Sequence, residues 1–203
     1  MALLDVAADA IAYCAETRLR IGLVVLYEAL VTVAINVIGQ VYVDGAAMTH
    51  GQVADLPLPD VRFGYTPIEL HDLYASMGPV ARRNFILFEL FDIFFYMPAY
   101  VLLLSTLITA GYMRLRRPVS LLAYLPFLSV VADLLENAAH IFTAYDFTLQ
   151  QSLRDMNWLL AAYTGAAANE LKWVTLVASV GVLLVTWVRV LGFVAPPPHV
   201  KAN

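Results

Sequence analysis

Charge is what this sequence has least of. Only 14% of its 203 residues are Asp, Glu, Lys or Arg, against about 25% in soluble proteins, so it lacks the charged surface that a water-exposed domain of this size needs. A single cysteine, Cys14, excludes an internal disulfide and thiolate zinc sites, which need several cysteines. There is no basic excess either. The 12 Lys and Arg stand against 16 Asp and Glu, for a net charge of −4, which excludes nucleic acid as a partner. The sequence also lacks a Gly-x-Ser-x-Gly elbow, a Gly-rich phosphate loop and the His-Glu pattern of zinc proteases. It contains no internal repeat, and its one biased stretch is Pro196-Pro197-Pro198, which ends any helix reaching it.

What remains is apolar. With 61% hydrophobic residues and a mean hydropathy of +0.73, the chain reads as one integral membrane domain over residues 1–203, an all-α, polytopic four-helix bundle with short amphipathic or interfacial helices. About 20 helical residues cross a hydrocarbon layer of about 30 Å, and four stretches qualify: residues 21–43, 85–113, 119–143 and 171–194. The first fifteen residues carry Asp5, Asp9 and Glu16 among apolar residues at helical spacing, which predicts a surface helix. The run after Arg18 and Arg20 is longer than a signal-peptide core and reads as an anchor. Arg18, Arg20, Arg114, Arg116, Arg117, Arg189 and Lys201 fall on one side of the spans, and Arg62, Arg82, Arg83 and Arg154 on the other. This bias places both termini inside.

The connection over residues 44–84 is the only long one. Thr66-Pro67-Ile68-Glu69 has the form of a helix start, with a threonine cap, proline in the first turn and a glutamate placed to reach back. It predicts a short outer helix over residues 67–77, stopped by Gly78, with Pro79 opening the second span. Residues 158–168, small and apolar, form either an interfacial helix or an early start to the fourth span.

Ionisable groups inside spans cost about 2.5–3.5 kcal/mol each on insertion scales, so each calls for a partner or a use. The third span carries Asp133, Glu136, Asn137 and His140, whose offsets of three, four and seven share one helical face. Glu89 and Asp92 share a face of the second span. Glu28, Asn36, Asn169 and Glu170 complete the set, and a bundle that hides them turns them inward. Three chemistries suit such a cluster. Interhelical hydrogen bonding fixes helix register at about 0.6 kcal/mol per contact. General acid/base or relay chemistry would use Glu89, Asp92, Asp133, Glu136 and His140, the candidate catalytic residues. A metal site on Glu136 and His140 rests only on a common spacing, and the doubled acid-x-x-His pattern of metal bundles is absent, so neither metal nor cofactor is expected. Lys172, two positions from Glu170, is expected to snorkel to the interface. Trp158, Trp173, Trp187, Tyr42 and Tyr145 are expected as interfacial anchors.

The run Phe88-Glu89-Leu90-Phe91-Asp92-Ile93-Phe94-Phe95-Tyr96-Met97-Pro98-Ala99-Tyr100 resembles the second helix of the EXPERA family, the group holding the emopamil-binding sterol isomerase and the sigma-2 receptor. There an acid precedes a proline and aromatics in the same way, and four spans, inside termini and a long first connection are similar too. The resemblance implies that Glu89 lines a ligand cavity and that Asp44 takes the receptor-like acidic position. It also implies that Glu136, with Asn169 and Trp173, corresponds to the isomerase's later acid and its Asn/Trp pair. Asn169 and Trp173 stand four apart here rather than three, and no histidine accompanies Glu89. Asp44, Glu89, Asn169 and Trp173 are thus the candidate ligand-binding residues.

Two function classes follow. The first is a non-catalytic accessory subunit of a larger membrane complex, partnered by other membrane subunits and by lipids. Loops too short for a soluble catalytic domain favour it, and it carries the expectation that a partner holds the Pro-rich tail; the mitochondrial inner membrane is its natural location. The second is an EXPERA-like sterol- or lipid-ligand protein, an isomerase if a buried carboxyl moves a proton, with the endoplasmic reticulum as its location.

Overall fold

The computed structural model describes residues 2–49 and 58–194, and every regular element among them is helical. Helix α1 runs over Ala2–Ala15, α2 over Arg18–Ile38, α3 over Gly45–Thr49, α4 over Pro67–Phe91, α5 over Met97–Arg114, α6 over Pro126–Tyr145 and α7 over Met156–Val194. Joined through short irregular turns, they give four helical runs long and apolar enough to cross a membrane: Arg18–Ala47, Pro67–Arg114, Leu121–Tyr145 and Met156–Gly192. The chain is an all-α membrane bundle. The Pro-rich tail, and with it the expectation of a partner holding it, lies outside the described residues.

Two runs exceed what a bilayer needs. At about 1.5 Å per residue, the 37 residues of Met156–Gly192 extend roughly 55 Å against about 30 Å of hydrocarbon, and the 48 residues of Pro67–Arg114, bent at Gly78, also exceed one crossing. The surplus turns of α4 and α7 fold together beside the long first connection. Leu70, Leu73, Tyr74, Met77, Ala81 and Phe85 of α4 pack there with Tyr65, Ala144, Trp158 and Ala162. Residues 158–168 are therefore an early start to the fourth run.

The capping box forms as its sequence demands. Thr66 Oγ1 accepts from the Glu69 amide at 3.2 Å, and a Glu69 carboxyl oxygen accepts from the Thr66 amide at 2.7 Å, which satisfies two of the amides a helix start leaves open. Gly78 departs from helical geometry at φ 68° and ψ 174°, a region open essentially to glycine alone. The expected helix over residues 67–77 therefore forms and stops at Gly78, where α4 kinks, and Pro79 opens the helical stretch that follows. Arg82 donates to the Tyr74 carbonyl freed at the kink, at 2.9 Å.

Two π-turns interrupt the spans, at Gly39–Asp44 and Asp92–Tyr96. The second has a covalent cause. Pro98 has no N–H to offer the Phe94 carbonyl, and its ring crowds that carbonyl, so the helix widens just before it. Such wide turns occur often at functional sites, and both of these face the cavity described below.

Sorting by polarity follows the solvent. Leu23, Leu26, Leu30, Val33 and Val37 on α2 and Val174, Val177, Leu184, Val188 and Leu191 on α7 are exposed, as lipid-facing residues should be. Small residues line the α6–α7 contact, where Ala132, Ala139, Ala162 and Ala168 are buried and let the two backbones approach closely. Glu28 does not join the inward cluster, and Asn36 lines the edge of the cavity described below without bonding to the cluster. Asn36 is exposed and donates to the Thr32 carbonyl at 2.7 Å, and Glu28 accepts from the Thr32 hydroxyl at 2.8 Å; bonds one turn away within α2 satisfy both. Glu170 is exposed as well. Trp158 is fully buried and donates its ring N–H to the Thr143 carbonyl at 2.9 Å, so it is a core residue and not an interfacial anchor. Trp187 is half-buried under Arg114, and Tyr42 and Tyr145 are exposed.

Candidate functional site

The third-span stripe faces inward. Asp133, Glu136, Asn137 and His140 are all buried, and so are Glu89 and Asp92 across from them on α4 and its π-turn. Each polar group is held from a different element. Tyr100 of α5 donates to Asp133 at 3.0 Å. The Asn137 amide donates to Asp92. Asn169 of α7 donates to Glu136 at 2.7 Å and to the Pro59 carbonyl at 3.2 Å, while its own oxygen accepts from the Gly64 amide at 2.7 Å. That last bond fixes which way the Asn169 amide points, because only oxygen can accept there.

Lys172 is the largest departure from expectation. Instead of snorkelling, it is 7% exposed, with Nζ 2.6 Å from Glu136, 3.3 Å from Asp133 and 3.8 Å from Asp60. Counting from Glu170 misplaces it. Counting from Asn169, one helical turn earlier, puts it on the buried face, and that spacing was available in the sequence. Asp60 had no such signal. It sits in a Pro-rich turn, Pro59–Val61, with no periodicity to mark it, and reaches the cluster because Asn169 and Lys172 hold the Pro59 and Asp60 carbonyls.

His140 lies at the loop-facing end of the cluster. Its Nδ1 is 3.0 Å from Glu89 Oε1 and 3.5 Å from Asp60 Oδ1, and its Nε2 is 2.9 Å from the Tyr65 hydroxyl. Tyr65 belongs to the connection before α4, and burial, reinforced by the charge of Glu136, pushes its hydroxyl well above the usual tyrosine range. It therefore stays a neutral hydroxyl that can give or take a hydrogen bond. Gly165 of α7 makes room for it: a methyl group there would stand 2.5 Å from the Tyr65 hydroxyl and 2.9 Å from Ala139 Cβ.

A cavity of about 340 Å³ opens beside this network. Ile35, Leu58, Val61, Phe88 and Leu176 supply apolar wall; Asp60, Asp92, Asp133, Lys172, Tyr96 and Tyr100 supply the polar end. Asp44 and Trp173 also line it, whereas Glu89, Glu136, Asn169 and His140 stand behind its wall. Five carboxyl groups, Asp60, Glu89, Asp92, Asp133 and Glu136, thus share one ammonium. Uncompensated charge is very costly in a low-dielectric interior, so the site holds protons or takes up a cation. Asp92 Oδ1, Glu89 Oε2, Asn137 Oδ1 and Asp60 Oδ2 are buried without a hydrogen-bond partner among the described residues, although buried polar atoms are as a rule satisfied.

Comparison of the chain with protein-family models, with curated proteins and with solved structures finds no match.

Proposed function

We propose that this membrane protein binds an amphipathic ligand, sterol- or lipid-like with a basic or hydroxyl group, in the cavity between α2, the Pro59–Val61 turn, α5, α6 and α7. The carrying observation is the cavity itself, apolar along one wall and ending on Asp60, Asp92, Asp133 and Lys172. Its size falls in the range of about 300–1,000 Å³ of small-molecule sites, and a few convergent polar groups on apolar walls are their usual composition. An apolar body fits the wall, while a basic or hydroxyl group meets carboxyl groups such as Asp92, whose Oδ1 has no hydrogen-bond partner among the described residues. The same carboxyls offer proton transfer to a bound double bond, with Tyr100 and Asn137 orienting Asp133 and Asp92. This reading agrees with the EXPERA resemblance in character but not residue by residue, since Asp92 and Asp133, rather than Glu89, border the cavity.

The test is binding of a radiolabelled hydrophobic amine, and turnover of a sterol with a movable double bond, by protein purified in mild detergent. Asp92→Asn is expected to weaken amine binding by tenfold or more, the equivalent of about 1.4 kcal/mol, and to abolish any isomerisation. An accessory subunit would behave otherwise: no amine binding, and co-purification at fixed stoichiometry with other membrane chains.

A further inference from the structure

The geometry points to a divalent metal site on Asp60, Glu89 and His140. This inference goes beyond the ligand reading and does not depend on it. One atom from each of the three residues, a carboxylate oxygen from Asp60 and Glu89 and Nδ1 of His140, lies within 4.8 Å of the other two. A first-row metal ion held about 2.1 Å from each ligand sets those atoms about 3.0 Å apart at right angles and about 3.4 Å apart at the tetrahedral angle. The distances from His140 Nδ1 are 3.0 Å to Glu89 and 3.5 Å to Asp60. Two of the three ligand separations thus match the edges of a coordination polyhedron, and the third, between Asp60 and Glu89, is within 4.8 Å.

Independent features support the assignment. Glu89 is fully buried, and its second oxygen has no hydrogen-bond partner among the described residues. Neither carboxyl oxygen of Asp60 accepts a hydrogen bond there, and Lys172 stands farther from Asp60 than from Glu136 or Asp133. The far side of His140 is prepared as metal-bound histidines usually are: Nε2 meets the Tyr65 hydroxyl at 2.9 Å, so an N–H there donates outward and leaves Nδ1 free to ligate. One imidazole with two carboxylates suits zinc, manganese or ferrous iron rather than a soft ion. A divalent cation also offsets part of the carboxyl excess. Asp60 borders the cavity, so an open coordination position on that side would face whatever occupies it.

The experiment uses full-length protein in mild detergent, stripped with chelator and titrated with ZnCl2 and MnCl2, with Co2+ as a spectroscopic probe. One metal per chain is expected, together with a rise in melting temperature. Glu89→Gln keeps a hydrogen bond to His140 but removes a charged ligand, and His140→Ala removes the nitrogen; each is expected to weaken binding at least tenfold and to cancel the thermal shift. Tyr65→Phe retains all three ligands and should cost about 10–100-fold, so it gives a reading even if a ligand variant fails to fold. Glu28→Gln, away from the cluster, should bind as the unmodified chain does. Asp92→Asn should keep the metal while losing the amine, which separates this site from the cavity. Absence of stoichiometric metal from the unmodified chain, or an affinity in Glu89→Gln and Tyr65→Phe unchanged from that of the unmodified chain, would overturn the assignment.

Discussion

Lys172 and Glu136 hold each other in place, and each makes the other hard to replace. Glu136 presents one oxygen to Lys172 at 2.6 Å and the other to the Asn169 amide at 2.7 Å. Both neighbours are donors. An amide at position 136 would answer only one of them and turn its own NH2 toward the other, so even Glu136→Gln is expected to cost about 1–3 kcal/mol. Lys172→Met removes the ammonium from three carboxyls and should destabilise by about 3 kcal/mol, the low end for a broken buried pair because the carboxyls can take up protons. The double variant Lys172→Met/Glu136→Gln should recover part of that loss, as read by thermal unfolding in detergent. Simple additivity of the two single losses would contradict the pairing. The inward stripe of α6 was legible at this scale because its four members share one helix and one periodicity. Lys172 was misread against the wrong neighbour, and Asp60 and Tyr65 were invisible because residues of an irregular segment carry no phase.

Helices α6 and α7 meet through small residues, and the closeness of that contact places the site. Gly165 touches Tyr65 and Ala139 at once. Gly165→Ala must therefore push α7 from α6 or drive the Tyr65 hydroxyl away from His140, while helix propensity alone would favour alanine by about 1 kcal/mol. A net loss of stability is expected despite that gain, together with weaker labelling of the cavity by a hydrophobic amine. A stabilised protein would contradict the close approach of Gly165 to Tyr65 and Ala139. Element identity was read well from hydropathy and caps: the Thr66 box, the break at Gly78 and four apolar runs all stand where the residues put them. Element length was not, because hydropathy marks the part of a helix that lipid requires to be apolar, and α4 and α7 go on by packing against each other once outside it. The π-turn at Asp92–Tyr96 follows from Pro98, and that cause was present in the sequence too.

For the whole molecule, the first turns of α4 and α7 and the Pro59–Val61 turn gather at one end of the bundle, the end toward which Asp60 and His140 lie, while Asp133 stands midway along its run. The other end carries the turn between α5 and α6, with Arg114, Arg116 and Arg117. An even number of crossings puts the start of α2 on that same side, and the positive-inside bias of the sequence predicts it as the inner one. Substituted cysteines test this directly. In a Cys14→Ser background, Asp72→Cys, on an exposed position of α4 before the Gly78 kink, should react with an impermeant maleimide added outside sealed cells or vesicles. Arg117→Cys should react only after the membrane is opened. Both positions are exposed, so reactivity reports side and not burial. Labelling of both from the same side would require an even number of crossings between them, which a single run from Pro67 to Arg114 forbids unless that run lies along the membrane instead of through it. Labelling of Arg117→Cys alone would keep the bundle and invert it, placing the cavity mouth and the acidic cluster on the inner face.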